Sequence, residues 1–297
     1  MKYLIKVPAT SANLGPGFDT LGICWDLFLK IYVDLNSNEK VVINKNKQEI
    51  KKNDLFIQAL NYTLEYLNIP NKFYKIELDS EIPIGKGLGS SAAAILGGIS
   101  TAEIISTKKV DKIEKIKIAL NFENHIDNLS ACLEGGVVTC LKNENELSFT
   151  RLPIKCDIYG VIYIPTYTIA TESARKILPL NYPKEDVIFN LQKLSFLITG
   201  LVKGDEDLID MGMEDKIHQP YRFNLIKEYT LISELLNGKF KKKVVLSGAG
   251  PSLLTITLSY QKALEILKNL ENNLRNEIEG TFRILKLNNK GIEIESL

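Results

Sequence analysis

Apolar and polar residues alternate in strand-like runs at about residues 2–8, 27–35 and 73–79, the period of two that puts every second side chain on one face of a sheet. Between the last two runs the period changes. Phe56, Ala59, Leu60, Leu64 and Leu67 recur at helical spacing, with Asn53 or Asp54 set to cap the first turn. A further helix is expected from Ser91 to about Ser106. Another starts at Asp111, where Glu114 three residues on makes a capping-box pattern and Ile113, Ile116 and Leu120 give an inward face. Past Gly135 and Gly136, strands are expected near 137–141 and 157–164. A helix over about 185–203 carries Ile188, Leu191, Leu194, Ile198, Leu201 and Val202, and ends at the polar break Lys203 to Asp207. A helix near 223–236, strands at 243–247 and 253–258 joined by the turn Ser247 to Ser252, and an amphipathic helix over about 261–275 complete the pattern.

Strands and helices mix without the regular alternation of a parallel sheet, so the expected class is α+β. The 297 residues suit two domains, 1–153 and 154–297, with no Pro/Ser-rich linker to advertise the boundary. A formal charge of +1 provides no global field, so neither nucleic acid nor an anionic membrane is expected as a partner. Cys24, Cys132, Cys140 and Cys156 form no C-x-x-C pair and are too few for a disulfide framework; buried thiols in a reducing compartment are expected. No apolar run approaches the ~18 residues of a membrane span and no signal-peptide stretch is found at the start, which points to a cytoplasmic protein.

One segment is specialised for an anion. Pro83, Ile84, Gly85, Lys86, Gly87, Leu88, Gly89, Ser90, Ser91, Ala92 and Ala93 run three alternate glycines into two serines and a helix. Glycines let backbone N–H groups approach a phosphate, and a helix start adds free N–H groups and the positive end of a dipole. Ser90 and Ser91 are expected at the cap, where a hydroxyl can meet a phosphate oxygen or Mg²⁺. The Walker pattern is excluded because Lys86 precedes the serines, and the dinucleotide fingerprint because the glycines alternate strictly.

Three other segments carry candidate chemistry. In Pro8 to Gly22, small residues and turn formers surround Asn13 and Asp19, which reads as a loop able to close on a small polar molecule; both side chains can equally bond turn backbone. Glu123 to Asn128 holds a carboxylate able to complete the oxygen shell of a Mg²⁺, or to end a solvated helix. Thr171 to Arg175 and His218 to Arg222 each supply an arginine suited to a carboxylate, or to the surface. The turn Ser247 to Ser252 packs on the phosphate loop or is a simple hairpin.

Taken in order, the Pro8 to Gly22 block, the Pro83 to Ala93 loop and the Ser247 to Ser252 turn resemble the GHMP small-molecule kinases, from about residue 6 to 257. The first block lacks the Gly-Glu-His element of the mevalonate and galactose kinases and is similar to the branch acting on L-homoserine. The resemblance implies an N-terminal ribosomal-protein-S5-like domain followed by a ferredoxin-like one, with ATP-dependent phosphorylation of the L-homoserine hydroxyl between them. It implies that residues Pro83 to Ala93 wrap the ATP phosphates and that Ser91 and Glu123 hold Mg²⁺. Asn13, Asp19, His125, Asn128, Thr171, Arg175 and Arg222 would surround the substrate, Asp19 taking its amino group and the arginines its carboxylate. Asn13, Ser91, Glu123, Thr171 and Arg175 form the implied catalytic set, and a homodimer is the family expectation. Where the family reads Glu-Gly-His-Pro-Asp-Asn-Val-Ala-Pro, this chain has Asn124 and Ile126 and a run from Leu129 to Cys132 that lacks the second proline, while the Glu, His, Asp and Asn stay. A sibling acting on shikimate or mevalonate, or a nucleotide-binding regulator without turnover, are the alternatives.

Overall fold

A long N-terminal hairpin organises the first half of the molecule. A computed structural model describes residues 1–69 and 72–297. In β1 (Lys2–Asn13) and β2 (Gly17–Asp34), Leu21, Ile23, Trp25, Leu27, Leu29, Ile31 and Val33 occupy alternate positions and all are buried. That is the pattern of a strand with one face on a core. The segment Pro8 to Gly22, expected as a loop, is therefore mostly strand around a tight turn. Its glycines and prolines mark two register shifts, at Pro8/Ala9 and Ala12/Asn13, irregularities that re-aim side chains near a sheet end.

The sheet runs β11–β1–β2–β4–β3, with β3 (Lys40–Asn44), β4 (Tyr74–Ser80) and the C-terminal β11 (Glu293–Ser296). Off this path, β5 (Val137–Lys142) pairs with Leu21 to Ile23 of β2 and carries β6 (Leu147–Arg151). Four helices accompany it. Asp54 caps α1 (Leu55–Tyr66) by accepting from the Phe56 N–H, and Asp111 caps α3 (Lys112–Ala119) by accepting from that of Glu114. Between them α2 (Ser90–Ser106) is buried along nearly its whole length, as its lack of a polar stripe requires. The fourth, α4 (Asp127–Glu134), begins at the acidic segment.

The second half is built on an antiparallel sheet in the order β10–β7–β9–β8, from β7 (Tyr159–Pro165), β8 (Val245–Leu246), β9 (Leu253–Thr257) and β10 (Gly280–Lys286). Its helices are α5 (Thr171–Lys176), α6 (Lys184–Lys203), α7 (Glu206–Gly212), α8 (Gln219–Arg222), α9 (Tyr229–Phe240) and α10 (Tyr260–Leu274). Val161 and Tyr163 of β7 form one core with Ile232, Leu236, Ile266 and Leu270, whereas Ile162 and Ile256 join the large core of the first sheet. Both faces of the second sheet are thus covered. The mixed α+β class holds.

Several elements differ from the sequence expectation. The helix expected at 223–236 is a 3-10 turn at Phe223–Leu225 followed by α9, and the strand expected at 243–247 shrinks to two residues. Strands β3, β6, β10 and β11 had no sequence signal. All four lie at sheet edges, where few positions are buried and alternation fades: in β10 only Leu285 is buried. Among the described residues the four cysteines are free thiols, and no helix is long and apolar enough to cross a membrane.

Candidate active site

The loop from Pro83 to Gly89 enters α2 between the two halves. Gly89 itself takes the cap position expected for the serines, with φ 70°, so Ser90 and Ser91 lie inside the first turn, one and two residues past the cap. Neither hydroxyl has a hydrogen-bond partner among the described residues, and Ser91 is exposed. Ile84, Gly85, Gly87, Gly89, Ser90, Ser91 and Ala92 line a cavity; Pro83, Leu88 and Ala93 do not. Lys86 is also outside it. Its Nζ turns away to donate to the Thr166 and Tyr167 carbonyls at 2.6 and 2.5 Å.

Two of the glycines answer to packing as well as to an anion. A Cβ on Gly87 would fall on the Ser247 carbonyl oxygen, and one on Gly89 on Thr10 Oγ1. Ser247 Oγ donates to the Gly87 carbonyl at 2.6 Å and meets Ser11 Oγ at 2.6 Å, while Trp25 Nε1 donates to Ser11 Oγ at 2.8 Å. A directed chain of three bonds thus runs from Trp25 to the glycine loop. The turn Ser247 to Ser252 packs on that loop, and Gly248, Ala249 and Gly250 line the same cavity.

The tip of the hairpin faces the cavity with Asn13. Its Nδ2 donates to the Gly248 carbonyl at 2.9 Å and its Oδ1 accepts from the Asp19 N–H at 3.0 Å, so one amide N–H remains. Asn13 and Asp19 hold φ of 74° and 55°, the left-handed region that Asn and Asp tolerate better than other side chains.

Glu123, His125, Asp127 and Asn128 line the opposite wall. Burial pulls the Glu123 pKa upward, but hydrogen bonds from His125 and the Asn124 N–H outweigh it and hold the carboxyl below its usual range. Asn128 Oδ1 accepts from Thr10 Oγ1 at 2.8 Å. Asp127, which sequence reasoning left out of the candidate set, is buried, and its pKa is pushed up to about 6 by burial and then by the neighbouring Asp19. A second carboxyl four residues after Glu123 was the readable signal.

Arginines close the cavity from the second half. Arg175, from α5, makes a bidentate pair with Asp19: Nη1 donates to Oδ2 at 3.1 Å and Nη2 to Oδ1. Arg222, at the end of α8, is buried; Nε donates to the Ala174 carbonyl at 2.9 Å and Nη1 lies 3.2 Å from His218 Nδ1. Its Nη2 is buried with no acceptor among the described residues. Burial, and then the charge of Arg175, lower the Arg222 pKa to about 10. Both guanidinium groups sit 5.1 Å from the centre of the Phe18 ring. Thr171, the first residue of α5, lines the mouth of the same cavity.

A glycine-led helix start, an arginine with one guanidinium nitrogen unpartnered among the described residues, and two carboxylic residues therefore line one cavity. Comparisons with known proteins bear on the family of the chain. Residues 54–136 match the GHMP kinases N terminal domain. The chain is 35% identical over 303 residues to a homoserine kinase of Persephonella marina, covering all of both chains. It is 32% identical over 298 residues to one of Aquifex aeolicus, covering 98% of this chain and 99% of the relative. A crystal structure of homoserine kinase from Cytophaga hutchinsonii superposes with a TM-score of 0.86 at 26% identity over 99% of this chain and 97% of that one. The mevalonate kinase of L. major, at 13% identity and a TM-score of 0.73 over 95% and 94% of the two chains, shares the fold. Likeness over the full length shows that this chain belongs to the homoserine kinase family of the GHMP kinases.

Proposed function

We propose that the chain transfers the γ-phosphoryl group of ATP to the hydroxyl of L-homoserine, giving O-phospho-L-homoserine and ADP, a step of threonine biosynthesis. One observation carries the reading: Arg222, whose buried Nη2 has no acceptor among the described residues, and the buried Asp127 line the same cavity as the glycine loop. A zwitterion with a hydroxyl arm matches those charges. The arginines suit its carboxylate, Asp19 and Asp127 suit its ammonium group, and the hydroxyl arm then points to the loop. Two acidic groups beside the arginines favour an amino acid over mevalonate or shikimate, which carry no ammonium.

Residues 1–153 would form the ATP-binding unit, with β11 added to the edge of its sheet, and the rest of residues 154–297 the unit that supplies Arg175, Arg222 and the Ser247 turn. The backbone of Gly85 to Ser91 and the start of α2 would cradle the phosphates and meet negative charge as it develops. Asn13, with one N–H left over, and Thr171 would orient the acceptor. His125 would keep Glu123 ionised, and Asn128 would brace the wall through Thr10. Phosphoryl transfer proceeds through a loose transition state, so holding the hydroxyl in line does most of the work and little early deprotonation is needed.

A divalent cation fits the donors present. Ser91 offers a hydroxyl with no protein partner among the described residues, and Glu123 an ionised carboxylate on the same cavity. Mg²⁺ is commonly held by one or two such oxygens together with substrate phosphates, and there it would neutralise charge on the phosphoryl oxygens.

The test is ADP release from ATP and Mg²⁺ with L-homoserine, shikimate or mevalonate, with the product identified by ³¹P NMR. Homoserine-dependent ADP and O-phosphohomoserine are expected. Turnover of another alcohol alone would discard the amino-acid pocket, and ATP binding without turnover would favour a regulator.

A further inference from the structure

His218 is fully buried beside the cavity but is not among its lining residues. Its backbone is fixed by Asp215, whose Oδ2 accepts the N–H of His218 at 2.9 Å and that of Gln219 at 2.6 Å. Its ring stacks on Phe18 with centroids 4.9 Å apart and planes 21° from parallel. Nε2 lies 2.8 Å from the Gly15 carbonyl oxygen, in the turn of the hairpin, and Nδ1 lies 3.2 Å from Arg222 Nη1.

These two partners leave the ring one protonation state. A carbonyl oxygen only accepts, so Nε2 carries the proton. A guanidinium only donates, so Nδ1 presents its lone pair. An imidazolium would aim an N–H at an N–H. Burial acts in the same direction, lowering the His218 pKa to about 4 against the pull of Asp215. Arg222 thus has Nε fixed on Ala174, Nη1 fixed on His218, and Nη2 left over. The spacing of His218 and Arg222, four residues apart around α8, stacks them on one side of that turn.

We propose that neutral His218 is a positioning and specificity residue: its Nδ1 lone pair orients Arg222 so that Nη2 is kept for the carboxylate of the acceptor, and its Nε2–H ties that orientation to the hairpin turn. The inference rests on the reading of Arg222 as the carboxylate anchor. A planar guanidinium with two of its three nitrogens held has lost its rotational freedom before substrate arrives, and preorganisation of this kind raises affinity and discrimination. It also explains why a histidine is buried without being part of the cavity wall.

Two substitutions separate the two ends of the ring. In His218→Gln the amide can reach the Gly15 carbonyl but not Arg222; in His218→Asn the amide oxygen can replace Nδ1 toward Arg222 while the bond to Gly15 is lost. Steady-state kinetics on L-homoserine and on 3-aminopropan-1-ol, the same amino alcohol without the carboxylate, read the effect. For His218→Gln the KM for L-homoserine should rise about tenfold or more, the order expected for a hydrogen bond to a charged group. The KM for ATP should hold, and the preference for L-homoserine over 3-aminopropan-1-ol should fall by a similar factor. His218→Asn should retain more of that preference than His218→Gln. The reverse order would overturn the proposal, because it would make the tie to Gly15 the part that matters. Arg222→Met is the control. If it keeps the preference, the carboxylate reading of Arg222 fails and takes the inference with it; if it loses the preference while His218→Gln keeps it, only the role of His218 fails. Ring ¹⁵N shifts of the wild-type protein give a test that no folding defect can blur: the neutral Nε2–H tautomer is expected at pH 7, and an imidazolium or the Nδ1–H tautomer would refute the assignment.

Discussion

Replacing Asp127 with asparagine should stabilise the ligand-free protein at neutral pH while weakening its hold on L-homoserine. Burial, then repulsion from Asp19, raises this carboxyl from 3.8 to about 6. A difference of that size corresponds to about 3 kcal/mol favouring the protonated over the ionised form in the folded state. Because the folded pKa lies above the unfolded one, the contribution is fully present below pH ~4 and is lost as pH rises through about 6. Asparagine keeps the amide oxygen that can accept from the Asn128 N–H, as Asp127 Oδ1 does at 2.7 Å, but carries no charge. The difference in unfolding free energy, variant minus wild type, should therefore grow by about 2.4 kcal/mol between pH 4 and pH 7. For a chain of this size that is roughly 4 °C in Tm. Thermal unfolding from pH 4 to pH 8 measures it. Saturating L-homoserine should narrow the gap at pH 7, since an ammonium group beside Asp127 restores the ionised form. A variant no more stable than wild type at any pH, or a gap that homoserine leaves untouched, would refute the reasoning.

Three further changes follow from other parts of the molecule. Glu123→Ala should lower turnover and recover part of it as Mg²⁺ is raised, since it removes one oxygen donor and leaves the glycine cradle in place; a Mg²⁺ dependence identical to wild type would count against Glu123 as a ligand. Ser247→Ala strands the Gly87 carbonyl and shortens the Trp25 to Ser11 relay, so denaturant unfolding should register about 1–3 kcal/mol of lost stability and the KM for ATP should rise. Lys242 is wholly buried against Glu206 at 2.7 Å and Asp210 at 2.6 Å; Lys242→Met should destabilise by about 2–4 kcal/mol, because it strips the half-buried Asp210 of its lysine and leaves Glu206 with Lys262 alone. Burial raises the Glu206 pKa, but hydrogen bonds from Lys242 and Lys262 overcome it and hold the group at about 2. Its contribution is thus present above pH ~4.5 and fades as pH falls toward 2, so the difference between variant and wild type should shrink in acid.

The sequence was most legible where a local rule decides the structure. Asp111 caps the helix it was expected to cap, and Asp54, one of the two candidates offered, caps the other, because a side chain two or three residues from its target needs no tertiary information. The hairpin Lys2 to Asp34 was half hidden. Alternation from Leu21 onward was present, but glycine, proline and asparagine between Pro8 and Gly22 imitate a loop, and only pairing across the sheet turns them into irregularities of a strand. Edge strands such as β6 and β11, with little buried on either face, left no pattern to read.

Within the site, the chemical inventory could be read but its allocation could not. Asp19 and Arg175 were expected to meet opposite ends of a ligand, and in the structure they meet each other. Lys86 looks like a phosphate ligand in the sequence, yet it pins the loop to the Thr166 and Tyr167 carbonyls. Gly87 and Gly89 are open to an anion, and they are also forced by the Ser247 carbonyl and by Thr10. Each of these allocations depends on residues tens to hundreds of positions away, which spacing along the chain cannot supply. Asp127 and His218 were quoted within motifs but given no role, since what distinguishes them is burial.

The central claim is that one cavity holds a zwitterionic amino-acid alcohol beside the ATP phosphates. Its most direct test compares kcat/KM for L-homoserine, 4-hydroxybutyrate and 3-aminopropan-1-ol, which lack in turn nothing, the ammonium group and the carboxylate. Removing either charge should cost at least about a hundredfold in kcat/KM, because the buried Asp127 carboxyl or the buried Arg222 guanidinium then lacks its partner. Comparable kcat/KM values for all three acceptors would contradict the account.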